Sequence, residues 1–443
     1  MYIKRNIDNY LLQWKTETKR KPLLLRGARQ VGKSSSVKEF AKGFEYFLEI
    51  NFEEDKKAHE IFDGNLSPKQ ICRDLSLMYD VPIIPGQTLI FFDEIQSCIP
   101  AILSLRFFYE KMQEQHLVAA GSLLEFALQE LPSFGVGRIR SLFVYPLSFD
   151  EFLSALGNKS LLQAKTEASE LLPLSKPVHN RIIALFKEFL IIGGMPEVVA
   201  NYIETNDVRH CQRVLDDLII SLQADFAKYK KRIPSLRIRK VFESVTKQSG
   251  QKFVYANAVT ETSSKQTQEA LELLVMANLI FPVTHTSANG LPLGAEANIK
   301  RRKMILLDTG LTQRLLNLQL VDILLSQDFE VINKGNIAEQ YVGLELMKNA
   351  SPYQPQQLYY WHREARNSNA EVDYIIQVGD KIIPLEVKSG IKGKMHSLRL
   401  FLKEKNTEYG YRISLENYAS FENIKVLPLY AVSRLNKENE TRS

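Results

Sequence analysis

The run Gly27-Ala28-Arg29-Gln30-Val31-Gly32-Lys33-Ser34 fits the pattern Gly-x4-Gly-Lys-Ser/Thr along its whole length. Glycine at 27 and 32 permits backbone turns that a β-carbon obstructs. The loop amides, Ser35 included, and the start of a following helix then face the phosphates of a nucleotide. In that chemistry Lys33 reaches the β- and γ-phosphates and the Ser34 hydroxyl ligates Mg2+. A second constellation ends the apolar run Leu89-Ile90-Phe91-Phe92, where Asp93 and Glu94 follow. Asp93 suits Mg2+ ligation, direct or through water, and Glu94 suits a general base on an attacking water. Two carboxylates at the end of a buried strand are costly without a cation. Ser122, closing the next apolar run, is a candidate contact to the γ-phosphate or the water; its competing role is an ordinary helix N-cap.

A third constellation lies near the C-terminus. Asp373, twelve intervening residues, then Glu386-Val387-Lys388 reads as D…ExK. On a strand, Glu386 and Lys388 point to one face, and Glu339, on a preceding helix, adds a third carboxylate. Paired acids of this kind hold Mg2+, while the lysine orients or deprotonates a hydrolytic water. The competing reading is that Lys388 neutralises Glu386 or Asp373 as an ion pair in a core that no longer cuts.

Elements must place these residues. Apolar Ile7, Tyr10, Leu11 and Trp14 at helical spacing predict a helix within residues 1–20. Short apolar strands follow at Leu23–Leu25, Thr88–Phe92, Leu117–Ala120 and Leu142–Tyr145, with a helix over Lys33–Lys42. Strands separated by helical stretches imply a parallel sheet covered by helices on both faces. From about 150 to 230 the pattern is helical, broken by a turn at Gly193-Gly194-Met195-Pro196. Residues 236–285 alternate helix and strand in the manner of a winged helix, with Ser263–Ala277 as the docking helix and Ile280–Thr284 opening a wing. Beyond 330 a helix over Ile337–Met347 precedes strands at Leu358–Trp361, Val372–Val378 and Ile382–Val387, and a helix near His396–Lys403. The fold class is thus α/β.

The stretch from about 20 to 155 resembles the AAA-type ATPase core of bacterial and archaeal P-loop proteins. The residues that carry the likeness are GARQVGKS, LIFFDEIQ, AAGSLL and VGRIRSLFVYPLSFDEFL. The resemblance implies a Walker A loop at 27–34, a Walker B pair at Asp93-Glu94 and a sensor residue at Ser122. It nominates Arg138 to sense or complete the phosphate site, its own or a neighbouring subunit's, which leaves room for a homo-oligomer; the competing reading of Arg138 is a surface salt bridge. Gly193–Glu197, Leu306–Leu311 and the 371–388 stretch resemble the C-terminal region of the same proteins, whose function beyond ATP binding is poorly defined. The D…ExK constellation resembles the restriction-endonuclease-like fold. The expected organisation is an ATPase core at 1–155, a helical lid at 156–230, a winged-helix-like domain at 231–300, an α/β restriction-endonuclease-like domain at 301–435 and a polar tail at 436–443.

Composition sets the outer limits. The chain has 443 residues, 45% of them hydrophobic and 24% charged, which is ordinary for globular domains and excludes a fibrous fold. Cys72, Cys98 and Cys211 are far apart, which argues against a zinc site or disulfide framework and for a reducing compartment. No apolar stretch approaches a membrane span, so a cytoplasmic setting without membrane contact is expected. The net charge of +6 is mild, but Lys228, Lys230, Lys231, Arg232, Arg237, Arg239, Lys240 and Lys300 to Lys303 crowd around the winged-helix-like segment. Such clusters suit phosphate backbones, DNA more than RNA. The expectation is an ATP- and Mg2+-dependent ATPase coupled to a DNA-binding, nuclease-like tail. The alternatives are a nucleotide-switched scaffold or a protein remodeller in which that tail does not cut.

Overall fold

A computed structural model of the chain describes residues 1–131, 137–229, 233–258, 262–318, 336–364, 369–388 and 395–436. It divides into two compact units. The first holds Met1–Pro146 with the short segments Met276–Asn278 and Ser351–Pro355; the second holds Leu147–Val275, Leu279–Ala350 and Gln356–Ser443.

The first unit is built on β1 (Leu23–Arg26), β2 (Tyr46–Asn51), β3 (Thr88–Asp93), β4 (His116–Ala120) and β5 (Arg140–Phe143). All their pairings are parallel, in the order β2-β3-β4-β1-β5. Helices α1 (Asn6–Lys15), α2 (Lys33–Ala41), α3 (Pro68–Tyr79), α4 (Ile99–Lys111) and α5 (Leu124–Glu130) accompany the strands. This is the parallel-sheet core of a P-loop NTPase. β1 lies between β4 and β5 and its three leucines are buried, so the loop that leaves it is anchored in the middle of the sheet. β3 and β4 are buried at every position, as a sheet covered on both faces demands. The sequence pattern did not reveal β2, because as an edge strand it carries Glu49 and Asn51 among its apolar residues.

In the second unit a helical segment comes first: α6 (Phe149–Ala155), α7 (Lys159–Glu167), α8 (Lys176–Ile192), α9 (Pro196–Thr205), α10 (Val208–Ala224) and α11 (Phe226–Tyr229). Ser148 and Glu151 start α6 with a reciprocal capping box, so the Leu-Ser-Phe-Asp-Glu run encodes a helix start. Helices α12 (Ser235–Lys247), α13 (Tyr255–Ala258) and α14 (Ser264–Met276) lead into an antiparallel hairpin of β6 (Ile280–Thr286) and β7 (Ala297–Leu306). The remaining strands are β8 (Leu358–His362), β9 (Glu371–Val378), β10 (Lys381–Val387), β11 (Gly410–Ser414), β12 (Ala419–Phe421) and β13 (Ile424–Pro428). Helices α15 (Thr309–Leu315), α16 (Asn336–Lys348) and α17 (His396–Glu404) complete the unit. An eight-stranded mixed sheet runs β12-β13-β11-β10-β9-β8-β6-β7. The expected domain boundary at 300/301 therefore falls inside β7. Because β6 also pairs in parallel with β8, the hairpin belongs to the same sheet as the D…ExK strands. Among the described residues no helix is long and apolar enough to cross a membrane.

Two of the sequence's glycine motifs meet in this unit. Leu147 N donates to Gly194 O at 2.7 Å, and the Asp308 carboxylate accepts from Gly194 N at 2.7 Å and from Leu311 N at 3.1 Å. A β-carbon at Gly194 would stand 2.2 Å from Leu147 O, so only glycine lets the two backbones approach.

Candidate functional site

The 27–34 loop leaves β1 and feeds α2, whose first residue is Lys33. Gly27 has φ +142°, and a β-carbon there would lie 2.2 Å from Val144 O. Gly32 has φ +93°. The loop therefore packs against the backbone at Val144 and turns at Gly32 in a way that other residues would obstruct or strain. Lys33 is buried; its Nζ donates to Ala28 O at 2.6 Å and to Gly27 O at 3.0 Å, within its own loop. Burial pushes the Lys33 ammonium down to about 8, against the opposing pull of Glu94 and Asp93.

Across the loop stands the end of β3. Ser34 Oγ donates to Asp93 Oδ2 at 2.8 Å, which pairs the hydroxyl and carboxylate that Mg2+ chemistry needs. Burial raises Asp93, while the hydrogen bond from Ser34 works the other way. Glu94 sits in the left-handed region at φ +48°, a strained conformation for a non-glycine residue. Its Oε2 accepts from Gln96 Nε2 at 2.5 Å, Ser122 Oγ at 3.2 Å and Ser122 N at 3.4 Å. Ser122 thus fixes Glu94 and caps no helix, since α5 begins beyond it with Leu123 at the cap. The groups present, Lys33 with the Ser34 hydroxyl and the Asp93 carboxylate, fit a phosphate and Mg2+.

Arg138 is half-exposed and pairs with Glu110, in the last turn of α4, at 2.6 Å. The sequence reading missed Arg5. Its guanidinium is buried and donates to Val31 O at 3.1 Å and Tyr145 O at 2.7 Å, fastening the loop from behind.

In the second unit β9 and β10 are antiparallel with Leu385 opposite Tyr374, so Asp373 and Glu386 are cross-strand neighbours. Lys388 Nζ bonds Glu386 Oε1 at 2.7 Å, and Asp373 Oδ2 accepts from Val387 N at 2.8 Å. The centre also contains a residue that sequence reasoning had assigned to a surface patch. Lys303, on β7, has a side chain only 1% exposed. Its Nζ stands 2.7 Å from Glu339, 2.5 Å from Glu371 and 3.9 Å from Asp373. Burial opposes its charge, but Glu339, Asp373 and Glu371 together hold the ammonium well above its ordinary value. Burial also raises Glu339, Asp373 and Glu386. Among the described residues no group of three or more His, Cys, Asp or Glu side chains is placed to hold a metal ion. Of the three acids expected to hold a metal, Glu339 and Asp373 face the Lys303 ammonium and Glu386 is bonded by Lys388.

The basic patch shrinks as well. Arg301 pairs with Glu364 and Arg302 with Glu272, each at 3.1 Å, and Lys303 is internal. Lys230, Lys231 and Arg232 lie outside the described residues. Arg239, on α12, and Lys265, on α14, are exposed.

Residues 19–153 match the family described as AAA domain. Residues 183–322 and 334–432 match two families each described as a domain of unknown function, DUF8612 and DUF4143. Among solved structures, a Walker-type ATPase of Pyrococcus abyssi is similar at 16% identity and a TM-score of 0.46, over 71% of this chain and 96% of that one. The Aeropyrum pernix ORC1 protein, in complex with DNA, is similar at 14% identity and a TM-score of 0.26, over 72% and 92%. None of the curated proteins compared with the chain matches it. Overlaps this loose say nothing about partners.

Proposed function

We propose that this AAA-type P-loop ATPase binds Mg2+-ATP against the 27–34 loop and the end of β3, and hydrolyses it with Glu94 as the base. The observation that carries the reading is the 2.8 Å bond between Ser34 and Asp93 with Glu94 held beside it by Ser122 and Gln96. The loop amides and Lys33 bind the phosphates; Ser34 and Asp93 hold the metal. Bound Mg2+ supplies charge neutralisation on the β- and γ-phosphates. Glu94 takes the proton of the attacking water, and Ser122 keeps its carboxylate aimed. Replacing Lys33 with alanine is expected to weaken ATP binding by about 10- to 100-fold, the worth of one charge-assisted contact at a dry site. Titration calorimetry measures this, and a variant within about threefold of wild type would remove the loop from the site.

A pH dependence follows from the same lysine. In the free chain Lys33 titrates at about 8, and phosphates beside it favour the charged form. ATP affinity is therefore flat below that pH. Above it, affinity falls by up to about tenfold per pH unit, because a proton must be taken up on binding. Calorimetry at pH 8.5 in buffers of different ionisation enthalpy reads the proton directly. No uptake, or uptake unchanged in Lys33→Ala, contradicts the assignment.

A second reading makes DNA the partner of the other unit. It is supported by the order α12, α13, α14, hairpin, which is that of a winged helix, and by Lys265 and Arg239 on exposed faces of its helices. Reversing both charges is expected to lower DNA affinity and to reduce the log–log salt slope by about two. A slope equal to wild type in a filter-binding series would exclude this face. ATP turnover that DNA does not change would favour the protein-remodelling alternative.

A further inference from the structure

We infer that Lys303 is a built-in cation standing where a nuclease of this pattern would hold its divalent metal, so that the D…ExK centre joins elements together and does not cut. The inference concerns the second unit alone and is independent of the ATP reading.

Glu339 from α16 and Glu371 and Asp373 from β9 turn their carboxylates toward one ammonium, on a side chain 1% exposed. Clustered carboxylates repel unless a cation lies among them, and here the chain supplies the cation itself. The lysine is buried and its Nζ lies 5.2 Å from the centre of the Tyr360 ring, so withdrawal to water would give up these contacts. Lys388 bonds Glu386 Oε1 and the amide of Val387 bonds Asp373 Oδ2, while Glu386 Oε2 is buried without a hydrogen-bond partner. A divalent ion entering this group would have to settle beside a fixed positive charge in a poorly screened interior. Hydrolysis by the D…ExK pattern uses a metal-bound water, and here a fixed ammonium stands beside the acids that would hold that metal.

The arrangement has a positive consequence. Lys303 belongs to the hairpin that follows α12–α14, whereas its partners belong to α16 and β9. One buried ammonium therefore fastens the three-helix segment to the D…ExK strands. Removing a buried charge partner leaves the others uncompensated, so the joint is specific to a cation at this position.

The experiment is a charge-for-metal exchange on the full chain without nucleotide, with Mn2+ as probe. Wild type is expected to show no Mn2+ binding that Asp373→Asn removes, and no nicking of supercoiled DNA with Mg2+ or Mn2+, with or without ATP. Lys303→Ala is expected to unfold at a lower temperature in EDTA and to gain one Mn2+ site. At about 100 times its Kd, Mn2+ then raises the midpoint by about 5 °C, and adding Asp373→Asn abolishes the gain. Wild-type Mn2+ binding or DNA nicking that Asp373→Asn eliminates overturns the inference. So does a folded Lys303→Ala chain that gains no Mn2+ site. If Lys303→Ala does not fold, the wild-type and Asp373→Asn arms decide alone.

Discussion

Glu94→Gln is expected to lower the ATP turnover rate by about 100- to 10,000-fold, the usual worth of a positioned general base, while ATP affinity stays within about threefold. Glutamine keeps the length and one acceptor oxygen, so the bonds from Ser122 Oγ and Gln96 Nε2 can persist. What it loses is the ability to take a proton. The geometry explains why the loss is confined to chemistry. The loop, Lys33, Ser34 and Asp93 are untouched, and the carboxylate's Oε2 is already committed to its three donors. Among the described residues Oε1 carries no hydrogen bond, which leaves it for the water. Ser122→Ala is a graded companion: it keeps the base but frees its orientation, so a smaller fall in turnover is expected, again with ATP binding intact. Single-turnover hydrolysis beside equilibrium ATP binding separates the two effects. An unchanged rate in Glu94→Gln would falsify its assignment as the base.

The candidate nucleotide site was legible in the sequence because its information is local. Gly27, Gly32, Lys33 and Ser34 are close in the chain, and a loop between a strand and a helix fixes their relation. Asp93 and Glu94 were legible for a related reason: the run before them is apolar at every position, so their place at a strand end needs no tertiary knowledge. Strand alternation likewise put Asp373 and Glu386 together across β9 and β10. Failures came where a residue's role depends on partners distant in sequence. Lys303 stands in the run Lys-Arg-Arg-Lys and reads as one more surface cation. It lies where β7 enters the interior, since positions 303–306 are all buried, and its partner Glu339 is 36 residues away. Arg5 was missed similarly, since its partner carbonyls at Val31 and Tyr145 lie 26 and 140 residues off. For Arg138 the sequence left a phosphate-site role and a surface salt bridge open, and within the chain its charge pairs with Glu110.

Asp308→Ala is expected to destabilise the second unit by about 2–6 kcal/mol, from two buried donors losing their acceptor at about 1–3 kcal/mol each. Asp308 is fully buried. One oxygen accepts from Gly194 N at 2.7 Å; the other caps α15 by accepting from Leu311 N at 3.1 Å. Burial raises its carboxyl, and the Lys348 charge with the surrounding amides offsets part of that. Alanine removes both acceptances at once and opens a space where Gly193 and Gly194 had been shaped around the carboxylate. Gly193, at φ +75°, would carry a β-carbon only 2.0 Å from Asp308 Oδ1, so this turn and this aspartate fit only as a pair. Asp308→Asn separates charge from geometry. Its one amide oxygen can still accept from a single backbone N–H, while its NH2 faces the other donor, so it is expected to recover no more than about half of the loss. With two units in the chain a single unfolding free energy is ill defined, so amide exchange at Gly194 and Leu311 is the measurement to use. Protection at both amides is expected to collapse in Asp308→Ala and to survive at one of them in Asp308→Asn. Protection equal to wild type in the alanine variant would mean that other groups hold the two glycine motifs together.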